Sequence, residues 1–510
     1  MEKFDVIIIG SGLSGLLCAS ILSKEGLQVC VLEKQDHLGG SLQNFKRENI
    51  AFDTGIHYTG SLLPGQTLYR YWKYFGLMDK LTLIQLDRDC FDMIGIEEDD
   101  FPLAQGFDNF SEQLLPHFPD SRKVLSTYIS KIREVSQAFP LYNLELPGSS
   151  NEEPYRSESY SNFLQSIRHP DSGIWHPESL PDRQAGDIPL SSVLAGNNFI
   201  YSGHPLKTPL YIPAIINHSF ISSAWRFVDG SAQITTSLAS LIQSNGGQLL
   251  VGEEVKKINL KDEQFFITTS NARDFVSKYV ISSLHPAVSL ELIDKSLVRN
   301  AFRERIAKLE NTASAFTIYI VLKERSFPYL NYNYYYHSKV NNWTGVIDYE
   351  TWPDNYLLYT PAYSGQDEFA KTLVIITTMN ILPFQKWKKT RTGERGTEYA
   401  DLKEQMAGQL FDLVEKKFSH LRNNIQAMDI STPLDWRDYT GTPDGSMFGV
   451  QKDFNDPVRT SVNPRTKIPN LFLTGQNINL HGTLGVTTGA VLTCGQITGM
   501  EYLINKIKND

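Results

Sequence analysis

The chain has 510 residues, 41% of them hydrophobic and 21% charged, and a formal net charge of −9. That length predicts more than one domain, the composition is that of an ordinary globular enzyme, and an acidic balance without a long basic run excludes a nucleic-acid partner. Cys18, Cys30, Cys90 and Cys494 show no C-x-x-C spacing, which argues against a metal site or a disulfide framework and for a reducing compartment.

Phe4, Val6, Ile7, Ile8 and Ile9 read as a buried parallel strand that runs at once into Gly10-Ser11-Gly12-Leu13-Ser14-Gly15. In such a turn Gly10 permits the tight bend, Gly12 lets a pyrophosphate approach the backbone, and Gly15 lets the next helix pack closely on the sheet. A helix is predicted over residues 13–25, its N-terminal amides offered to phosphates, with Gly26 ending it. Val29–Leu32 is the next strand, and Glu33 follows where a carboxylate can accept hydrogen bonds from ribose hydroxyls. The apolar stretch over residues 6–22 has acids before it, glycines within it and no basic n-region, so it is read neither as a signal peptide nor as a membrane span. The expected location is the cytoplasm, with peripheral contact to a membrane surface as a further option.

After Lys34 comes a second glycine turn, Leu38-Gly39-Gly40-Ser41, then Phe52-Asp53-Thr54-Gly55-Ile56-His57-Tyr58. A second backbone-exposing loop suits a cofactor lying extended along the domain, as FAD does; the alternative is a plain hairpin turn. Residues 76–224 mix polar and aromatic segments, with a loop-like stretch over 147–203. A nucleotide-domain segment resumes near Trp225: a helix over 231–244, the cap Asn245-Gly246-Gly247, a strand over 248–251, then Glu254-Val255, and an antiparallel hairpin of 264–269 with 279–283. Further on, strands are predicted at 316–322 and 373–378 and a helix at 399–418; the run Tyr332, Tyr334, Tyr335, Tyr336 reads as half-buried sheet. The strand Asn470-Leu471-Phe472-Leu473 enters a turn at Gly475, and a last helix is predicted over 486–506. No second strand–GxGxxG–helix unit occurs, so no second nucleotide domain is expected.

The first glycine turn, Glu33-Lys34, Gly39-Gly40, Gly246-Gly247 with Glu254-Val255, and Leu473-Thr474-Gly475 with Gly485-Val486 resemble the FAD site of the amine oxidase and phytoene desaturase superfamily. The segments from Phe52 to Gly60, from Tyr439 to Gly445 and from Leu471 to Asn477 are most similar to its branch of retinol saturases, carotenoid isomerases and phytoene desaturase-like proteins. The resemblance implies an α/β fold: a Rossmann-like FAD domain of the GR2 type over 1–75, 225–295 and 455–510, and a discontinuous α+β substrate domain, on a mixed or antiparallel sheet, over 76–224 and 296–454. It implies that Gly10, Ser11, Gly12, Leu13, Ser14 and Gly15 cradle the FAD pyrophosphate and that Glu33 binds the adenosine ribose with Lys34 beside it. Gly39, Gly40, Ser41, Gly55, Ile56 and His57 would follow the cofactor, Val255 would meet the adenine, Gly475 and Gln476 the ribityl and phosphate portion, and Gly485-Val486 the flavin carbonyl edge. Gln476 stands where many relatives have an acid.

A flavin carries the hard chemistry itself, leaving the protein to orient substrate and exclude water. His57 and His481, each flanking a cofactor loop, are the candidates for proton donation to a polyene, with Tyr58 a third; hydrogen-bonding roles to cofactor or backbone are the alternative. His204, His218, His285 and His337 lack metal-ligand spacing. The expected activity is hydrogen addition to, or removal from, C=C bonds of an apolar isoprenoid such as a carotenoid or retinoid, with a separate electron donor or acceptor. The alternatives are reduced-FAD-assisted cis–trans isomerisation and non-catalytic lipid binding on the same fold.

Overall fold

The computed structural model describes residues 1–168, 188–340 and 343–510. Glu2–Ile9 is a central strand because Val6, Ile7, Ile8 and Ile9 are covered on both faces of the sheet. Val29–Leu32 lies parallel on one side of it and Gln248–Leu250 beyond that, while Asp274–Ser282 lies parallel on the other side. Asp274–Ser282 carries two partners along its far edge: its first half pairs antiparallel with Gln264–Thr269, and its second half pairs parallel with Leu471–Leu473. Val255–Lys261 closes the sheet against Gln264–Thr269. The strand expected at 279–283 therefore begins at Asp274; Asp274, Ser277 and Lys278 hide its first half from an apolar pattern.

Register gives this sheet its use. Ile9 stands opposite Leu32 and Ser282, and Ser282 opposite Leu473. The parallel strands thus finish level, and Gly10, Glu33, Ser283 and Thr474 emerge side by side at one edge, where open α/β sheets bind their ligands.

The second sheet runs in the order Ile425–Ser431, Ser314–Leu322, Thr372–Met379, Asn355–Tyr359, Asn333–His337, Asp92–Ile96 and Asp99–Leu103. Every neighbouring pair is antiparallel except Asn333–His337 with Asp92–Ile96, so the sheet is mixed. Of the tyrosine run, Tyr332 is half-buried as expected, but the rest is buried on both faces: Tyr334 and Tyr336 join the core that includes Leu410 and Phe411 of the helix Gly396–Val414, and Tyr335 joins the core on the opposite face.

Two further expectations change. The stretch 147–203 is not simply a loop, since Glu153–Ser157, Tyr160–Arg168 and Leu190–Leu194 are helical; residues 169–187 of it lie outside the described residues. The final helix is two, Gly482–Thr498 and Met500–Asn509, broken at Gly499 with φ of 92°. The glycine and threonine run before Val486 weakens any propensity signal for a start at Gly482, and burial of that turn supplies the stability instead.

Candidate active site

A cavity of about 400 Å³ opens at the C-terminal edge of the first sheet and reaches the second sheet. Residues from the front, centre and tail of the chain line it together: Gly10, Gly12, Leu13, Ser14, Glu33, Lys34, Gly39, Gly40, Ser41, Gly55, Ile56, His57, Tyr58, Val255, Gly475, Gln476, His481 and Val486. Of the residues singled out from the sequence, Ser11, Gly15 and Gly485 stand behind this wall. A Cβ on Gly15 would lie 2.1 Å from the Gly10 carbonyl oxygen, and one on Gly485 would lie 2.3 Å from the Leu480 carbonyl oxygen, so both glycines serve close packing.

The first turn is shaped for an anion. Gly10 has φ of 90°, and a Cβ there would press on Ser283 Oγ at 2.6 Å. Gly12 is the N-cap of the helix Leu13–Lys24 and offers no side chain to its first amides, and a Cβ on Gly12 would meet no protein atom within 4 Å. Uncapped amides facing open space at a helix N-terminus favour phosphate. The second glycine turn packs onto the first: Gly39 pairs with Gly12, and a Cβ on Gly40 would stand 3.1 Å from the Gly12 Cα. It continues as the single turn Gly40–Leu42 rather than as the bend of a hairpin.

Glu33 is buried, and its Oε2 accepts from the Ser11 N–H at 2.9 Å and the Ser11 hydroxyl at 2.7 Å, while Oε1 accepts from the Gln35 N–H at 2.9 Å. Ser11 thus acts through Glu33, aiming a carboxylate at the cavity wall. Asp53 ties the front of the chain to its centre: its carboxylate accepts from the Ser231 N–H at 2.9 and 3.0 Å and the Ser231 hydroxyl at 3.0 Å, at the start of Ala232–Ser244. Burial pushes its carboxyl up to about 6.

The far end of the cavity is apolar. Ile216 and Phe220 from the helix Tyr211–Ser222, Leu357 and Ile376 from the second sheet, and Phe199, Met447 and Phe448 line it. The Tyr58 ring stacks on Phe220 at 4.3 Å, but its hydroxyl donates to Asp92 at 3.1 Å and pairs with the Tyr335 hydroxyl at 2.8 Å. Tyr58 is therefore a wall residue whose hydroxyl is engaged in the protein rather than offered as an acid. Asn333 donates to Asp92 at 2.9 Å and accepts from buried Arg226 at 2.9 Å, so one amide bridges a carboxyl and a guanidinium that never touch.

The two histidines favour the hydrogen-bonding alternative over proton donation. Burial, reinforced by Arg226, holds the His57 imidazole down at about 3, and burial holds His481 at about 4. Shifts of that size keep both rings neutral at physiological pH, which weighs against an imidazolium proton donor and for the hydrogen-bonding alternative. His481 donates from Nε2 to the Ile200 carbonyl at 3.0 Å and packs on Phe448 at 4.5 Å. His57 contacts the Tyr359 hydroxyl through Nδ1 at 2.6 Å.

Residues 13–494 match the family of flavin containing amine oxidoreductases. The chain belongs to that family. It is a flavin-dependent oxidoreductase with FAD as its cofactor, and the donor set fits that group: two stacked glycine turns, uncapped helix amides and a fixed carboxylate, all on one cavity. Among characterised relatives, an all-trans-retinol 13,14-reductase of Danio rerio is 26% identical over 97% of this chain and 86% of its own length. A prolycopene isomerase 1 of an Oncidium hybrid cultivar is 29% identical over 55% of this chain and 48% of its own length. The crystal structure of an oxidoreductase from Methanosarcina mazei shares the fold, with a TM-score of 0.61 at 16% identity over 96% of this chain and 98% of that one.

Part of the wall of this family member carries no site signal in the sequence, although the segment from Tyr439 to Gly445 carries the family likeness. Trp436, Tyr439, Thr440, Gly441 and Thr442 line the cavity beside Lys34, whose Nζ donates to the Asp438 carbonyl at 3.3 Å. The Thr-Gly-Thr-Pro-Asp-Gly turn signal was visible there, but nothing in it shows that the helix Pro433–Thr440 delivers the turn to a distant glycine loop. Ser283, Leu284 and His285 also line the cavity; strand register puts them there, and periodicity could not. Among the described residues no group of three His, Cys, Asp or Glu side chains could hold a metal ion, and no helix is long and apolar enough to cross a membrane.

Proposed function

We propose that this enzyme adds hydrogen to, or removes it from, a carbon–carbon double-bond system in an apolar isoprenoid of the retinoid or carotenoid kind. One observation carries the reading: the glycine-lined groove and an apolar arm walled by Ile216, Phe220, Leu357 and Ile376 form one continuous cavity. The retinol reductase similarity supports it over most of the chain. FAD, when bound, supplies a hydride donor and acceptor at N5.

In this reading the Gly12 backbone and the Leu13–Lys24 amides hold the pyrophosphate, Glu33 binds the ribose, and Gly475, Gln476 and Val486 border the rest of the cofactor. Residues 1–75, 225–295 and 455–510 make up the FAD domain, and 76–224 and 296–454 the substrate domain. The apolar arm orients the polyene and excludes water from it, and His57 and His481 border the cavity as neutral, hydrogen-bonding rings. A single nucleotide fingerprint requires that electrons enter or leave through a separate donor or acceptor.

A second reading, cis–trans isomerisation of a polyene assisted by reduced FAD, is favoured by the prolycopene isomerase similarity. Anaerobic incubation of the protein, with its FAD reduced in one arm and oxidised in the other, with retinoid and carotenoid polyenes, followed by mass analysis, separates the two. A mass change of two hydrogens supports the first; altered retention at unchanged mass supports the second; neither change with any polyene overturns both.

A further inference from the structure

His57 opens onto the cavity, and its two ring nitrogens meet different surroundings. Nδ1 lies 2.6 Å from the hydroxyl of Tyr359, a residue at the end of the strand Asn355–Tyr359 that is only 2% exposed. The two rings are packed at a centroid distance of 4.6 Å. Among the described residues Nε2 has no protein partner, and His57 Nδ1 is the one hydrogen-bond partner of the Tyr359 hydroxyl. Two charged groups act on this pair: the Asp53 carboxylate on Tyr359, and Arg226 on both rings, its guanidinium 5.9 Å from the centre of the Tyr359 ring and its hydrogen bonds running to the carbonyls of Leu330, Tyr332 and Thr360, to Asn333 and to Tyr329.

Two proton arrangements fit a short contact between a phenol and an imidazole. If Nδ1 carried the proton, it would donate to the phenol oxygen and leave the buried phenol proton without an acceptor, a full desolvation cost. If the phenol donates to Nδ1, the ring proton moves to Nε2, which faces the cavity, where water or a bound molecule can accept it. The second arrangement satisfies every polar atom. A nearby buried guanidinium opposes a second proton on the ring, and burial acts in the same direction, lowering the imidazole to about 3.

We propose that Tyr359 is a positioning residue: its hydroxyl fixes His57 as a single neutral tautomer that presents Nε2–H to the cavity. His57 then works as an oriented hydrogen-bond donor to the molecule bound there and not as an acid that gives up a proton. Its use in catalysis rests on the flavoenzyme reading above; the tautomer itself does not.

The test is the two-bond proton–nitrogen correlation spectrum of the purified protein carrying ¹⁵N-histidine, with H57Q identifying the His57 signals and Y359F as the probe. The wild type should show one neutral tautomer, protonated at Nε2, from mildly acidic to neutral pH. In Y359F the two tautomers should mix, and kcat should fall about tenfold at unchanged KM and flavin content, as expected for one lost hydrogen bond. A wild-type His57 protonated at Nδ1, or charged at neutral pH, overturns the proposal even where Y359F does not fold. So does a folded Y359F that keeps the wild-type tautomer. A protein that turns over no polyene yet shows the Nε2–H tautomer leaves this proposal standing and counts only against the proposed substrate.

Discussion

Gly12 and Gly40 lie back to back: a Cβ on Gly40 would stand 3.1 Å from the Gly12 Cα, although 27 residues separate them in the chain. The open side of Gly12 is left to the cavity, and that asymmetry separates folding from binding. Gly12→Val puts its side chain into open space, so the variant should fold with a normal melting midpoint and be purified without flavin. Gly15→Val, whose Cβ would lie 2.1 Å from a carbonyl oxygen, should not yield stable protein. Flavin content and thermal melts of the two variants check the pair; a yellow Gly12→Val protein contradicts the placement of the phosphates.

Ser11 holds Glu33 by both its amide and its hydroxyl. Ser11→Ala removes one of these bonds and leaves the carboxylate less firmly aimed, which should weaken FAD binding about fivefold, the worth of one net hydrogen bond of about 1 kcal/mol. Titration of the apoprotein by flavin fluorescence measures this. Unchanged affinity would show that Glu33 does not bind the cofactor.

Desolvated histidines, with His285, His337 and His481 buried and His57 and His218 half-buried, set a pH dependence of stability. His57 is held at about 3 and His218, His285, His337 and His481 at about 4, all below their unfolded value near 6.5. Each is neutral in the folded state while the unfolded chain takes up the proton, so its contribution is complete above about pH 6.5 and is lost as pH falls toward 4. Asp53, raised to about 6, and Asp92, raised to about 7, act in the opposite sense, since the folded state binds their protons more tightly and loses that advantage as pH rises. The five histidines outnumber the two aspartates, so denaturant midpoints should climb from mildly acidic to neutral pH. A flat or falling trend contradicts the burial assigned to these rings.

The apolar arm can be blocked without touching the glycine turns. Ile216→Trp adds bulk on the face of Tyr211–Ser222 that borders the cavity, and should lower polyene turnover by at least about tenfold with flavin content intact. Retained turnover in this variant would place the substrate elsewhere.

The nucleotide half was legible because each of its parts is local: an apolar run, a glycine turn, an amphipathic or buried helix, and an acid at fixed spacing. Gly10, Gly12, Glu33 and Gly40 announce themselves in this way, and the cavity gathers them. What the sequence withheld depends on register and burial. Ser283 and His285 join the wall only because Asp274–Ser282 finishes level with Glu2–Ile9, and Trp436 and Tyr439 only because the helix Pro433–Thr440 packs near Gly40–Leu42. The histidines show the limit of reading residue type: an imidazole expected to titrate near neutrality is neutral once enclosed, and Tyr58, a candidate acid by position, spends its hydroxyl on Asp92 and Tyr335.

The most direct measurement is an anaerobic single turnover: protein with its FAD fully reduced, and in parallel fully oxidised, is mixed with retinoid or carotenoid polyenes, and flavin oxidation state and product mass are followed together. One flavin should change oxidation state for each product molecule that has gained or lost two hydrogens. Polyene converted with the flavin's oxidation state unchanged, or flavin that responds to no polyene in either state, would contradict the proposed redox role.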